Sequence, residues 1–190
     1  MRRIIVLLLL AFVCVASALA AEWRTAEEGW QYEFPRDHRL HPEFKTEWWY
    51  FTGNLTDQRG RRFGYQLTFF RQGIRHPAER DSEMSRFVIG DLKFAHFTVT
   101  DADGKRFVFD QKASRGAFGE AGFDEGEKLA WIDSWVLRLE ADGTFQLWAD
   151  TKDAAIDLRL QSAKPPALHG VSSTWARQTW WARPSSCCPA

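Results

Sequence analysis

The chain has 190 residues, 25 Lys and Arg balanced by 25 Asp and Glu, and a hydrophobic content of 45%. That composition excludes a disordered or collagen-like chain, and the lack of net charge argues against a nucleic-acid partner, whose phosphates demand a basic footprint. The length allows one domain, or one and a fragment, and ten Trp and 15 Phe against three Tyr supply bulk for a core or for lining an apolar cavity.

Arg2 and Arg3 precede an apolar run from Ile4 to Val15, and Ala18-Leu19-Ala20 then gives the small-x-small pattern that a signal peptidase reads. At 1.5 Å per residue the run reaches about 18 Å, short of the roughly 30 Å of a bilayer core. A signal peptide over residues 1–20 is therefore expected. The protein is then exported, periplasmic or secreted, and not membrane-spanning after cleavage. Phe12 and Val13 before Cys14 do not suit a lipoprotein signal. Export leads to a disulfide-permissive compartment. Only Cys187 and Cys188 follow the leader, and adjacent cysteines rarely reach the geometry needed to pair with each other.

Strand patterns follow. The aromatic run Glu47 to Thr52 meets a turn cluster at Asp57 to Arg62, after which Phe63, Tyr65, Leu67 and Phe69 alternate with Gly64, Gln66 and Thr68. This predicts a hairpin. A polar loop from Gln72 to Ser85 leads to a strand over Phe87 to Thr100, and Asp101 to Gly104 turns the chain into Arg106 to Asp110. Ser114 to Gly126, with four glycines, reads as a loop. Ala130 to Glu140 then pairs through Ala141-Asp142-Gly143 with Thr144 to Asp150, and Ala155 to Gln161 alternates once more. Seven or eight antiparallel strands with almost no helical period predict an all-β fold, either a barrel or a strongly curved sandwich. A filled core and a ligand cavity both remain open at this point.

Several residues carry candidate chemistry. Glu47 beside Trp48 and Trp49 is either a proton donor with a raised pKa or a carboxylate paired with an Arg. His96, between Phe94 and Thr98, is either functional or a satisfied core group, and Asp133, between Trp131 and Trp135, is either a turn acid or a carboxylate in an apolar setting. Trp48 and Tyr50 share one strand face and Trp49 and Phe51 the other, so one pair lies inside and the other is covered from outside. Candidate ligand-binding residues are Trp48, Tyr50, Tyr65, Phe69, Phe94, Trp131 and Trp135. Asp37, His38, His41 and Glu43 gather groups that suit zinc or iron, yet Pro42 breaks any ligand-presenting helix. The same stretch reads as a hydrogen-bonded lid, and its spacing matches no zinc motif, so no metal is expected.

The string from Asp37 to Leu55 (DHRLHPEFKTEWWYFTGNL), followed by Phe63 to Arg71 (FGYQLTFFR), resembles the AttH-like family of secreted lipocalin-like proteins. Relatives of that family include carotenoid 1,2-hydratases and predicted secreted hydrolases. Phe94-Ala95-His96-Phe97, Ser114-Arg115-Gly116-Ala117 and Lys164 to Gly170 (KPPALHG) extend the resemblance, which runs from about Tyr32 to Gly170.

The resemblance implies two lipocalin-like barrels in tandem, of which residues 21–170 match the first. A later Met-Asp-His-Glu-Trp-Gly motif, whose acidic and imidazole groups suit proton transfer, has no counterpart here. Residues 171–190 depart from the family pattern, contain no acid and show no strand alternation, so a truncated or frameshifted tail is expected. Two functions follow from the resemblance. One is an exported binding domain for an apolar small molecule or lipid, or a component serving a lipoprotein-handling ABC transporter. The alternative is a hydratase or hydrolase like carotenoid 1,2-hydratase, in which a carboxylic acid protonates an isolated double bond without any cofactor.

Overall fold

The computed structural model describes residues 21–27, 29–165, 167–168, 176–177 and 180–186. The expected leader at residues 1–20 lies outside them, as does much of the expected tail.

Strands β1 (Thr46–Thr56), β2 (Arg62–Gly73), β3 (Asp91–Asp101) and β4 (Arg106–Ser114) form a four-stranded antiparallel meander. A second sheet starts with β5 (Ala121–Glu125), β6 (Lys128–Ile132), β7 (Trp135–Leu139), β8 (Phe145–Asp150) and β9 (Ala155–Ser162), again in chain order. The short strands β10 (Ala167–Leu168) and β11 (Ala176–Arg177) pair with each other, and β12 (Trp180–Ser186) adds to the outer side of β9. Among the described residues helix is limited to two single 3-10 turns, at Arg36–His38 and Pro77–Glu79. The fold is all-β and antiparallel as expected. Among the described residues the two large sheets do not close into a barrel, an arrangement that fits a curved sandwich or a lipocalin-like fold.

Alternation decides what each sheet buries. In β1 the odd positions Trp49, Phe51 and Leu55 are buried, and in β2 Phe63, Tyr65, Leu67 and Phe69 are. Ala95, Phe97 and Val99 continue this inner face on β3. Opposite them lie Leu129, Ile132, Trp135, Leu137, Phe145, Leu147, Ile156, Leu158 and Leu160 of the second sheet, in one continuous core. Ring contacts bridge the layers: Trp49 stacks on Phe123 at 5.1 Å, Phe51 meets Phe145 at 5.4 Å, and Phe97 meets Trp135 edge-on at 5.6 Å. Side chains from both sheets thus fill the middle, as in a sandwich core about 10 Å thick.

Several segments differ from the sequence reading: the strand expected from Phe87 begins only at Asp91, and the one expected over Arg106 to Asp110 runs on to Ser114. The glycine-rich stretch after Ser114 carries the crossing between sheets and then the whole of β5. Its first part, where Gly116 takes a φ of 71°, is the crossing, and Gly126 at its end, with a φ of 62°, turns β5 into β6. The apolar run Ala130 to Glu140 is two strands, folded back on each other at Asp133-Ser134 so that Ile132 pairs with Trp135. Continuous apolarity hid that turn, because both strands pack on the core. Residues 180–186 pair with β9 despite their irregular pattern, because a strand joins an open sheet edge through backbone groups alone. Pro184 sits where that ladder shifts register, on an edge strand that tolerates its missing N–H.

Candidate functional site

The even-numbered residues of β1, β2 and β3 and the odd-numbered residues of β4 form the outer face of the four-stranded sheet. The register aligns them in four rows of four. Trp48, Phe70, Phe94 and Ala113 make the first row; Tyr50, Thr68, His96 and Gln111 make the second. Thr52, Gln66, Thr98 and Phe109 form the third row, and Asn54, Gly64, Thr100 and Phe107 the fourth. None of these sixteen positions is Asp, Glu, Lys or Arg, in a chain that is 26% charged. Tyr50 and Phe109 are each 52% exposed and Phe107 65%. Trp48 is partly exposed beside them.

The second sheet's outer face is an ordinary solvent surface by comparison. One of its rows reads Arg138, Gln146 and Arg159, and the next places Trp148 beside Asp157. Arg159 pairs with Glu140, and Lys128 lies 4.6 Å from the centre of the Trp131 ring. Exposed aromatic area gathered in one uncharged patch is the signature of a surface that meets something other than water.

His96 stands near the middle of that patch. Its ring lies 5.1 Å from that of Phe70 and 6.0 Å from that of Phe109. Thr68, beside it in the same row, is 1% exposed, and its hydroxyl has no hydrogen-bond partner among the described residues. Thr52 donates its hydroxyl to the Tyr65 carbonyl at 3.0 Å.

A second cluster closes one end of the sandwich. There the segment preceding β1 is pinned down by charge. Glu47 Oε1 lies 2.7 Å from His41 Nδ1, and the His41 backbone N–H donates to both Glu47 oxygens. His41 Nε2 lies 3.3 Å from Asp37 Oδ1. The hydrogen bond to Glu47 is the main cause raising the His41 pKa, against the opposing pull of burial. Burial also pulls Asp37 upward, but hydrogen bonds from Arg36, the Glu33 N–H, His41 and Trp30 together hold it well below the usual carboxylate range.

Arg71, 1% exposed, donates to Asp91 Oδ1 at 2.8 Å and to the carbonyls of His41 and Phe44, and its Nε lies 3.7 Å from Glu47 Oε2. Asp91 is shared with Arg80, which reaches both of its oxygens. Burial alone would raise the Asp91 pKa, and the two guanidinium groups bring it below the ordinary value. His38 turns away from the cluster. Its ring stacks on Phe34 at 4.3 Å and meets Phe145 edge-on, and burial lowers its pKa to about 4.

The structure therefore separates the three candidate catalytic groups. Glu47 belongs to the end cluster, His96 to the outer face, and Asp133 to the turn between β6 and β7, with a φ of 50° and Lys112 at 3.5 Å. The candidate ligand residues divide likewise. Trp48, Tyr50 and Phe94 join His96 on the outer face. Tyr65, Phe69 and Trp135 are buried between the sheets, and burial pushes the Tyr65 hydroxyl pKa up to about 12. Trp131 lies on the other sheet's outer side, packed over Gly122 with its Nε1–H donated to the Gly119 carbonyl. His38 and His41, weighed together as metal ligands, face different neighbours.

Sequence reasoning missed Phe107, Phe109, Gln66 and Gln111, whose direction depends on register. It also missed the buried Arg71. Its signal was present, since Arg71 occupies the next place in the series Phe63, Tyr65, Leu67, Phe69.

The AttH-like family profile matches residues 25–180. A crystal structure of a candidate AttH protein from Nitrosomonas europaea is 30% identical to the chain and superposes with a TM-score of 0.61 over 75% of it. The chain spans 41% of that structure's length. No curated protein matches. With the profile covering most of the sequence, the chain belongs to the AttH-like family.

Proposed function

We propose that the chain is an exported binding domain, and that its ligand surface is the outer face of the four-stranded sheet, not the space between the sheets. The carrying observation is the uncharged, aromatic-rich patch around His96. Large rings left half in water are an unsatisfied binding resource, since fully covering one such side chain is worth about 1.5–3 kcal/mol. The interior offers less, because Tyr65, Phe69 and Trp135 are already in contact with the core. Export rests on the leader-like pattern of residues 1–20, and the lipocalin-like family setting suggests an apolar ligand or a place beside a lipoprotein-handling ABC transporter.

The hydratase reading needs an acid free to give up a proton. Glu47 is occupied by three hydrogen-bonding contacts with His41 and lies next to Arg71. His96 and Asp133 lie elsewhere. The geometry therefore favours binding over proton transfer for this part of the family's length.

The test is titration with Nile red, an uncharged apolar dye whose emission rises on leaving water. Saturable enhancement that disappears in the Tyr50→Ala, Phe109→Ala double variant is the expected result. Enhancement that survives in the folded double variant would place the ligand surface elsewhere.

A further inference from the structure

Resting on that reading only for where the ligand binds, and replacing the apolar ligand that the family setting suggests, we infer that the natural ligand of the outer sheet face is a short neutral oligosaccharide. The face has three properties that together select this class: it has no fixed charge, its polar groups lie among its rings, and it is small.

The absence of charge excludes ionic ligands. A carboxylate, phosphate or ammonium group laid over rows from Trp48 to Phe107 would lose water and meet no counter-charge, and burying an unpaired ion costs several kcal/mol. A neutral ligand loses no such hydration.

The distribution of polar groups then separates sugars from hydrocarbons. Rings occupy the margins: Trp48 and Tyr50 on β1, Phe107 and Phe109 on β4, and Phe70 and Phe94 across one end. Gln66, Thr68 and Thr98 lie on the two inner strands between them, and Thr52 and Gln111 stand next to Tyr50 and Phe109 on the edge strands. A hydrocarbon covering this floor would strip water from the Gln66 and Gln111 amides, at about 1–3 kcal/mol for each group left unsatisfied. A pyranose chain carries both complements. Its C–H faces lie flat on aromatic rings, and its hydroxyls both donate and accept. Of the polar groups on this face, the Thr68 hydroxyl is buried and has no hydrogen-bond partner among the described residues.

The patch is also compact. Three strand spacings and three two-residue steps make the patch about 14 Å by about 20 Å between its outermost Cα atoms. That footprint is on the order of 300 Å², against the roughly 800 Å² per partner of a stable protein interface. It suits a few sugar rings better than a second copy of the chain.

Isothermal titration calorimetry on the chain tests this with cellohexaose, laminarihexaose and maltohexaose, beside hexagalacturonate as a charged sugar and 1-tetradecanol as a neutral hydrocarbon ligand. Saturable binding of at least one neutral hexasaccharide and none of hexagalacturonate is expected. Tyr50→Ala and Gln66→Ala should each weaken it about tenfold or more, with circular dichroism unchanged. Binding of tetradecanol without any hexasaccharide, lost in Tyr50→Ala, would overturn the sugar class and leave the face reading standing. Hexasaccharide binding unaffected by Tyr50→Ala, Gln66→Ala and Phe109→Ala would overturn the assignment to this face, and no binding of any probe by folded protein would overturn both.

Discussion

His41 Nδ1 and Glu47 Oε1 stand 2.7 Å apart, and the His41 backbone N–H donates to both oxygens of the same carboxylate at 3.1 and 3.0 Å. A side chain at the start of β1 thus holds the preceding segment by backbone and ring at once. This clasp gives the protein a specific pH dependence. The His41 pKa is raised in the fold above its ordinary 6.5. The stabilisation is therefore complete below about 6.5 and is lost as pH rises through the raised value. The melting-temperature advantage of the wild type over His41→Asn should shrink between pH 6 and pH 9. An advantage that grows over that range would contradict the clasp.

His38, three residues earlier, should titrate with the opposite sign. Burial between Phe34 and Phe145 lowers its pKa to about 4. The neutral ring contributes stability that is present above 6.5 and lost as pH falls toward 4. Thermal melts of His38→Phe should lack the part of the acid destabilisation that the wild type shows across that window. Parallel pH profiles for the two proteins would mean that His38 is solvated.

Arg71 anchors the cluster from beneath. Removing one partner of a buried ion pair typically costs about 3–5 kcal/mol, because the other charge stays buried without compensation. Arg71→Ala should lose stability on that scale in urea unfolding, as Asp91 would then depend on Arg80 alone. Arg71→Lys should rescue little, since a single ammonium cannot reach Asp91 and the carbonyls of His41 and Phe44 together. Full rescue by Lys would show that charge alone matters at this position.

Gly122 tests the packing of the second sheet. A Cβ placed there would lie 2.3 Å from Cζ2 of Trp131. Gly122→Ala should destabilise by about 1–3 kcal/mol, the usual range for overpacking. A Trp131→Leu background should relieve most of that loss. No relief would show that the cost arises in the backbone instead.

The sequence made the sheets of this protein legible more readily than its surfaces. Alternation along Phe63 to Phe69 put four side chains on one face, and that face is the one turned between the layers, because a strand with one buried face must repeat every two residues. The same rule could not show which of Trp48 and Trp49 turns inward, since both faces of β1 carry rings. It also could not connect Phe109 with Thr98, Gln66 and Thr52. That row exists only through the register of four strands. The Asp37 to His41 stretch was legible as a hydrogen-bonded lid, but the carboxylate it closes on lies six residues further along, and the guanidinium beneath that carboxylate lies on the neighbouring strand.

The central claim is that ligand meets the outer face of the four-stranded sheet, and the side-chain amides supply an internal comparison. Gln66 and Gln111 lie on that face, and Gln146 lies on the outer face of the other sheet. In ¹H–¹⁵N spectra recorded during titration with Nile red or cellohexaose, the side-chain NH₂ signals of Gln66 and Gln111 and the ring signals of His96 should shift saturably while those of Gln146 stay fixed. Saturable shifts at Gln146, or at Tyr65 and Trp135 of the interior, with Gln66, Gln111 and His96 unmoved, would contradict the account.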